Sequence, residues 1–429
     1  MPLGSLLSRF LRNRDASVAP MLALAALPLF GFVGAAVDYS RAASARTAMQ
    51  AALDASALML SKDAQTLTAD NLAQKTSADF KAMFTRPEAY DVQVASEFSQ
   101  PAQGNFLLKL TASAKVNTVF SRLLGHSTIS LAADTQVLWG IKKLNLALVL
   151  DNTGSMQQNA KMTNLKTAAH NLLTTLQNAA KTPGDVKVAI APFATDVNAG
   201  TSNVNASWID WTDWDAANGS CSNNSYSTKT TCLSHNKIWT PNPHSTWNGC
   251  VYDRDQNNDV TNTPAAAGSP ATLFRAHQAA NCPTAMMPLS TDWTALNAKI
   301  DQMTPTGNTN VTIGLAWGFQ LLSPVAPFNA PAPATDLDKV IIILTDGQNT
   351  QNRWSSTASV IDARTSKVCD NIKAANIKLY TVRVIDGDVT LLKGCASKPD
   401  MYYDVQQASQ LSSVFSSIAQ NLANLRITQ

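Results

Sequence analysis

Hydrophobic positions along this chain fall into three rhythms: one unbroken apolar run, a stretch of alternation, then short apolar runs separated by helical stripes. The unbroken run is Val18 to Val37, a stretch without a charge, and about 20 such residues span a bilayer as a helix. Pro28 would kink such a helix, which neighbouring groups can tolerate in a membrane. Met49, Leu53, Ser56 and Leu60 then recur at spacings of four, three and four, so an Ala-rich helix with one apolar stripe continues outward to about Lys62. Residues 63–85 hold a second helical pattern, with Leu67, Leu72 and Phe80 to Phe84. Three strands are predicted next, Tyr90 to Phe98, Phe106 to Val116 and Ile129 to Leu138. The second and third alternate small or apolar residues with polar ones, the period of a half-exposed antiparallel sheet. Residues 38–140 therefore read as a small α+β domain led by a long helix.

The rhythm changes at Leu144. Leu144 to Leu150 is continuously apolar but for Asn145 and ends in small polar residues, which reads as a buried parallel strand. Val186 to Phe193, Val340 to Leu344, Ile377 to Val384 and a short segment near Met401 to Tyr403 are further strands. Helical stripes lie between them, at Leu165 to Leu176, Asp292 to Met303, Val311 to Leu322 and Ile361 to Ala375. A last helix carries Leu411, Val414, Phe415, Ile418, Leu422 and Leu425 on one face. Strands alternating with helices predict an α/β domain over 141–425 built on a doubly wound, mostly parallel sheet. About ninety residues between the Val186 strand and the Asp292 helix exceed what that fold requires, an insertion at about 200–290 too long for an ordinary loop.

Candidate chemistry gathers where the strands end. Asp151, Thr153 and Ser155 lie on the turn after the Leu144 strand, Thr309 at the start of the Val311 helix, and Asp346 after the Val340 strand. In an open α/β sheet that edge is where ligands bind. Oxygen ligands at alternate positions suit a hard divalent cation, Mg²⁺ or Mn²⁺. The order Asp-x-Thr-Gly-Ser, then Thr, then Thr-Asp-Gly resembles the metal-ion-dependent adhesion site of von Willebrand factor type A domains, over roughly residues 140 to 425. Thr153 stands where many members of that family have serine, and the hydroxyl is retained. The resemblance implies that Thr153 and Ser155 hold the metal directly, with Thr309 joining them or acting through water. It implies that Asp151 and Asp346 act mainly through water and fix the hydroxyls. A partner protein would then supply an Asp or Glu carboxylate to the metal. That is binding, not turnover: the motif stretches carry no obvious His, Cys or Lys to act as a base. The chain is therefore expected not to be an enzyme, a metal-dependent hydrolase being the remote rival.

Lys and Arg total 33 against 30 Asp and Glu, with no dense basic run, so no nucleic-acid partner is expected. The six cysteines, Cys221, Cys232, Cys250, Cys282, Cys369 and Cys395, all fall in the second half. An even count in a polar region suggests disulfides and an oxidising compartment. The four in the insertion allow three pairings, of which proximity favours Cys221–Cys232 and Cys250–Cys282, leaving Cys369 to pair with Cys395. Zinc is the alternative, without a close Cys-x-x-Cys pair to support it. Asp253 to Asp259 looks like a calcium loop but lacks Gly at the sixth position and has Pro264 at the twelfth. A weak Ca²⁺ site, or a turn with solvated carboxylates, is expected there. The insertion is expected to cap the metal and select the partner, so that deleting 205–285 abolishes partner binding and spares metal binding. His126 reads as a surface residue and His170 as a partly buried structural one.

Arg9, Arg12 and Arg14 precede the apolar run, which favours residues 1–17 staying in the cytoplasm and the body being exported. A cleaved signal peptide ending near Gly34-Ala35-Ala36 is the rival, though signal-peptide cores are usually about 7 to 15 residues. The Arg-flanked run, Val37-Asp38-Tyr39-Ser40-Arg41 and Leu53-Asp54-Ala55-Ser56-Ala57-Leu58 together resemble the amino-terminal region of TadG-like Flp pilus-assembly proteins. That resemblance implies a single-pass inner-membrane protein with its body in the periplasm, or onward at the cell surface or pilus, meeting pilus-assembly partners. It also implies that residues 38–140 are pilin-like. Asp15-Ala16-Ser17-Val18-Ala19-Pro20 lacks the Glu of a prepilin peptidase site, so no prepilin cleavage is expected. A structural scaffold without metal-mediated binding is the alternative function.

Overall fold

The structure is a computed structural model that describes residues 18–64, 67–102, 105–140, 142–180 and 182–425. The expected cytoplasmic residues 1–17, with their arginines and the start of the prepilin-like stretch, lie outside the described residues. The chain divides into two units, Met1–Gly140 and Ile141–Gln429.

In the first unit, helix α1 (Val18–Ser61) runs unbroken through Pro28 into the Ala-rich stripe. Met49, Leu53, Ser56 and Leu60 are all fully buried. Helix α2 (Ala69–Met83) is capped by the Thr68 hydroxyl, which accepts from the Asn71 N–H. Both helices cover one face of an antiparallel sheet in the order β1 (Ala89–Ala102), β2 (Asn105–Asn117), β3 (Thr128–Gly140). Leu108, Leu110, Ala112, Ala114 and Val116 of β2 alternate into that core. Among the described residues no helix is long and apolar enough to cross a membrane. The side chains of residues 18–20, 23 and 27 are outside that description.

The second unit is built on the parallel strands β4 (Lys143–Asp151), β5 (Val186–Phe193), β7 (Leu337–Thr345), β8 (Lys378–Val384) and β9 (Tyr402–Val405), with β6 (Met287–Ser290) added antiparallel to β5. Their order is β9-β8-β7-β4-β5. Period-two alternation sorts the strand residues between two cores. Leu146, Leu148 and Leu150 face helices α3 (Lys161–Ala179), α4 (Trp293–Asp301) and α8 (Leu411–Leu425). Ala147 and Val149 face α5 (Val311–Leu322) and α6 (Ala358–Ala374) on the other side. A short helix α7 (Val389–Cys395) precedes β9.

The insertion is not an appendage. Beyond β5 the sheet continues through Val197–Asn198, Cys250–Tyr252, Phe274–Ala276 and Ile209–Asp210, so it is mixed, with ten strands among the described residues. Trp214, Trp247, Val251, Val260 and Phe274 share the α5 core. Deleting 205–285 would strip that core, so the deletion cannot separate partner binding from folding as expected. Cys221 bonds Cys232, Cys250 bonds Cys282, and Cys369 bonds Cys395. The Asp253–Asp259 loop corrects the sequence reading, for Asp253 and Asp259 are buried and all three carboxylates are engaged by the protein's own donors. Asp253 accepts from Asn310 and the Arg353 N–H, Asp255 pairs with Arg275 and Arg353, and Asp259 pairs with Arg364.

Helix α5 sits close on the sheet because it presents glycine there. A Cβ on Gly318 would lie 2.5 Å from Val149 Cγ2, and one on Gly314 2.7 Å from the Phe193 ring. Alanine in a helix gains about 1 kcal/mol over glycine, but overpacking a filled core costs about 1–3 kcal/mol. Val149 lies on the central strand and cannot retreat. Gly318→Ala is therefore expected to lower stability in urea unfolding, whereas Gly394→Ala in α7, with nothing within 4 Å, should raise it or leave it unchanged. Equal effects at both positions would contradict this packing.

Candidate metal centre

Asp151 ends β4 and Asp346 directly follows β7, so both leave neighbouring parallel strands at their carboxyl ends. The chain goes from β4 to β5 on one side and later to β7 on the other, so strand order reverses between β4 and β7. Ligand crevices of open α/β sheets form at such a point.

Asp151 is fully buried. Its Oδ1 accepts from the Thr153 N–H at 2.9 Å and the Thr153 hydroxyl at 2.6 Å, and its Oδ2 from the Thr345 hydroxyl at 2.7 Å. Burial pushes this carboxyl up to about 6; the Asp346 carboxylate adds to the rise and the threonine hydroxyls oppose it. Thr153 Oγ1 lies 3.0 Å from Ser155 Oγ, whose hydroxyl donates to Asp346 Oδ1 at 2.6 Å. Thr309 is drawn in by two ties. Its N–H donates to Thr350 Oγ1 at 2.8 Å, and the Gly307 carbonyl accepts from the Gly154 N–H at 3.0 Å. A Cβ on Gly347 would stand 3.1 Å from Thr309 Oγ1 and 3.8 Å from Ser155 Oγ. The bare glycine thus leaves a small space beside both hydroxyls, and Asp151, Thr153 and Asp346 connect to Ser155 through the hydrogen bonds above.

The candidate donors are two carboxylates and three hydroxyls; among the described residues there is no group of three or more His, Cys, Asp or Glu that could hold a metal ion. All-oxygen donors around a space that one Cβ would fill fit a small hard cation such as Mg²⁺ or Mn²⁺. Gly347→Ala should occupy that space and weaken Mg²⁺ uptake roughly tenfold, the lower end of what disturbing the groups around a metal costs, while leaving thermal unfolding nearly unchanged. Unchanged affinity in calorimetry would move the site elsewhere.

Sequence reasoning missed Lys161. Its side chain is 1% exposed, and Nζ donates to Asp346 Oδ2 at 2.8 Å and Asp386 Oδ2 at 3.0 Å. Burial alone would lower its pKa, but the two carboxylates outweigh that and hold it above the ordinary lysine value. A lysine therefore does stand at the site, contributed by the first residue of α3 from outside the motif stretches. It is kept charged, which is the wrong state for a base. One signal was available: Lys161 shares the spacing of Leu165, Ala168 and Leu172 on the apolar face of α3. Asp253 was also missed in this role. It accepts from the side chain of Asn310, the N-cap of α5, and from the Arg353 N–H, which ties the insertion to both the Thr309 and Asp346 loops. Burial pushes its carboxyl up to about 6, against hydrogen bonds that pull the other way. His170 lies away from the site, paired with Asp301, and His126 is exposed.

Residues 16–59 match the family described as Flp pilus-assembly TadE/G-like, and residues 261–417 match the von Willebrand factor type A domain. The chain therefore carries an amino-terminal segment matching the TadE/G-like family and a later segment matching the von Willebrand type A domain, each match covering less than half of its length. The second match includes Thr309 and Asp346 and starts after Asp151, Thr153 and Ser155. No curated protein matches this chain. Among solved structures it is similar to the vWF domain of the type V pili tip protein Mfa5 from Porphyromonas gingivalis, at 12% identity and TM-score 0.39, covering 67% of this chain and 97% of that one. It is similar to the pilus adhesin SpaC from Lactobacillus rhamnosus GG at 14% identity and TM-score 0.37, covering 79% of this chain and only 35% of SpaC. A third is proximal thread matrix protein 1 from the mussel byssus, with a zinc-occupied MIDAS motif, at 12% identity and TM-score 0.35, covering 66% and 49%.

Proposed function

We propose that this chain is a membrane-anchored, extracytoplasmic protein of a Tad/Flp pilus system that grips a partner protein through a metal-ion-dependent adhesion site. The observation that carries the reading is the run of Asp151, Thr153, Ser155 and Asp346 in hydrogen-bond contact, facing the hydroxyl-lined space at Gly347. Thr153, Ser155 and Thr309 would hold Mg²⁺ or Mn²⁺, and Asp151 and Asp346 would orient the hydroxyls. Bound there, the ion would supply an open position for a partner's Asp or Glu. Buried Asp151 fixes Thr153 by two bonds, so the site needs little rearrangement to accept an ion. Lys161, the buried lysine at the site, is held charged by two carboxylates, which suits it to binding rather than to proton abstraction.

Residues 18–37 anchor the chain in the bacterial inner membrane, with the amino terminus in the cytoplasm and the body in the periplasm or beyond. The support is the uncharged stretch itself and the exposure of Phe30 at 70% and Phe32 at 78%. The pilin-like first unit meets the pilus-assembly machinery. One observation favours the scaffold reading instead: Lys161 already neutralises Asp346 without any metal. Calorimetric titration of the full chain in detergent with Mg²⁺ and Mn²⁺ decides between them. Saturable uptake supports adhesion; its absence in folded protein leaves the scaffold.

A further inference from the structure

The loop between β2 and β3 presents two apolar side chains outward, Val119 at 57% and Phe120 at 44% exposure. Its position is fixed from α1. The Asp38 carboxylate accepts from the N–H groups of Val119, Phe120 and Ser121 at 2.9, 2.9 and 2.7 Å. Only 2% of Asp38 is exposed, so this charge is buried at the cost of desolvation and satisfied by three amides. The loop is itself closed. Ser121–Leu124 forms a 3₁₀ turn ended by Gly125 at φ 89°, and Thr118 N–H donates to the Ser127 carbonyl.

The Phe120 side chain rests against Gly34, where a Cβ would run into it. Gly34 lies inside the uncharged stretch. At about 1.5 Å of rise per residue, it sits about 4.5 Å before the end of that stretch at Val37. Phe120 is therefore held beside the last turn of the proposed span rather than beyond it. Tyr39, 72% exposed, and the exposed Arg41 and Arg122 stand at the same end. Tyr is enriched at both membrane–water interfaces, and Tyr and Arg side chains at the end of a span act as interfacial anchors.

We infer that the Val119–Leu124 loop inserts Val119 and Phe120 into the headgroup–acyl boundary of the bilayer that α1 crosses. It thereby braces the first unit against the membrane surface. This rests on the reading of 18–37 as a membrane span. Interfacial elements bury their apolar face about 5–10 Å into that boundary, which matches a loop pinned at the last turn of a span. The device also accounts for glycine at position 34 of a helix, where it otherwise costs about 1 kcal/mol against alanine.

The test uses the full chain in phosphatidylethanolamine–phosphatidylglycerol nanodiscs. Its six cysteines are all paired in disulfides, so a new cysteine is the one thiol open to a nitroxide label. Labels go on Phe30→Cys, Val119→Cys, Phe120→Cys and Lys109→Cys, and collisions with oxygen, which favours lipid, are compared with those of a water-soluble nickel chelate. Oxygen should dominate strongly at 30 and moderately at 119 and 120, and nickel at 109. Position 119 covers the case in which replacing Phe120 disturbs the loop. Lipid at 30 with water at both 119 and 120 overturns the loop inference and keeps the span. Water at 30 overturns the span, and the loop inference with it.

Discussion

Titrated with Mg²⁺, the full chain should take up the ion with saturation, and Asp151→Asn should bind it about 10–100-fold more weakly. The reason lies in what Asp151 holds. Its carboxylate accepts the Thr153 N–H and hydroxyl on one oxygen and the Thr345 hydroxyl on the other. Asparagine keeps the shape but offers one acceptor oxygen and an NH₂ in place of the second. Either Thr153 loses its acceptor or Thr345 faces a donor. Leaving a buried polar group unpaired costs about 1–3 kcal/mol, and the Thr153 hydroxyl, a proposed metal donor, becomes free to turn away. The variant also lacks one of two negative charges. Calorimetry at neutral pH, with unfolding followed by circular dichroism to verify the fold, is the measurement. Equal affinity in folded wild type and variant would mean that the ion binds elsewhere.

Lys161→Met should lower stability in EDTA by about 3–5 kcal/mol, the cost of removing one partner of a buried ion pair. The Asp346 carboxylate has no exposed side-chain surface, and Lys161 is its buried counter-charge. Asp386, the second acceptor, is 65% exposed and can hydrate when the ammonium leaves. The penalty therefore falls on Asp346. If Mg²⁺ binds beside Asp346, it should restore more stability to the variant than to wild type, since it replaces the missing positive charge. Lys161→Met with Asp346→Asn should recover most of the loss, because neither charge is then stranded. Chemical denaturation with and without Mg²⁺ reads all three. A loss under about 1 kcal/mol for the single variant would place Lys161 among ordinary solvated pairs.

The role of the insertion shows where reading residues in order reaches its limit. Its cysteines and tryptophans argued for order, yet it looked separable from the sheet. Its strands run only two to three residues each, too short for a period of two to show. The Asp253–Asp259 loop looked solvated because charges usually are. Arg275, Arg353 and Arg364 come from 20 or more positions away to pair with it, and sequence spacing carries no trace of such partners.

What the sequence determined by itself was set by local, periodic forces. The apolar runs of β4, β5 and β7 had to be buried on both faces, and the stripes on α3, α5 and α8 had to meet them. The carboxylates and hydroxyls at Asp151, Thr153, Ser155, Thr309 and Asp346 then fell at strand ends and a helix start. The tertiary structure alone decided which groups answer those carboxylates. Lys161 against Asp346, Thr345 against Asp151 and Asp253 against Asn310 join residues 57 to 194 positions apart. Such pairings depend on the order and register of the sheet, because a buried charge needs a partner at about 3 Å, and only the folded chain brings one there.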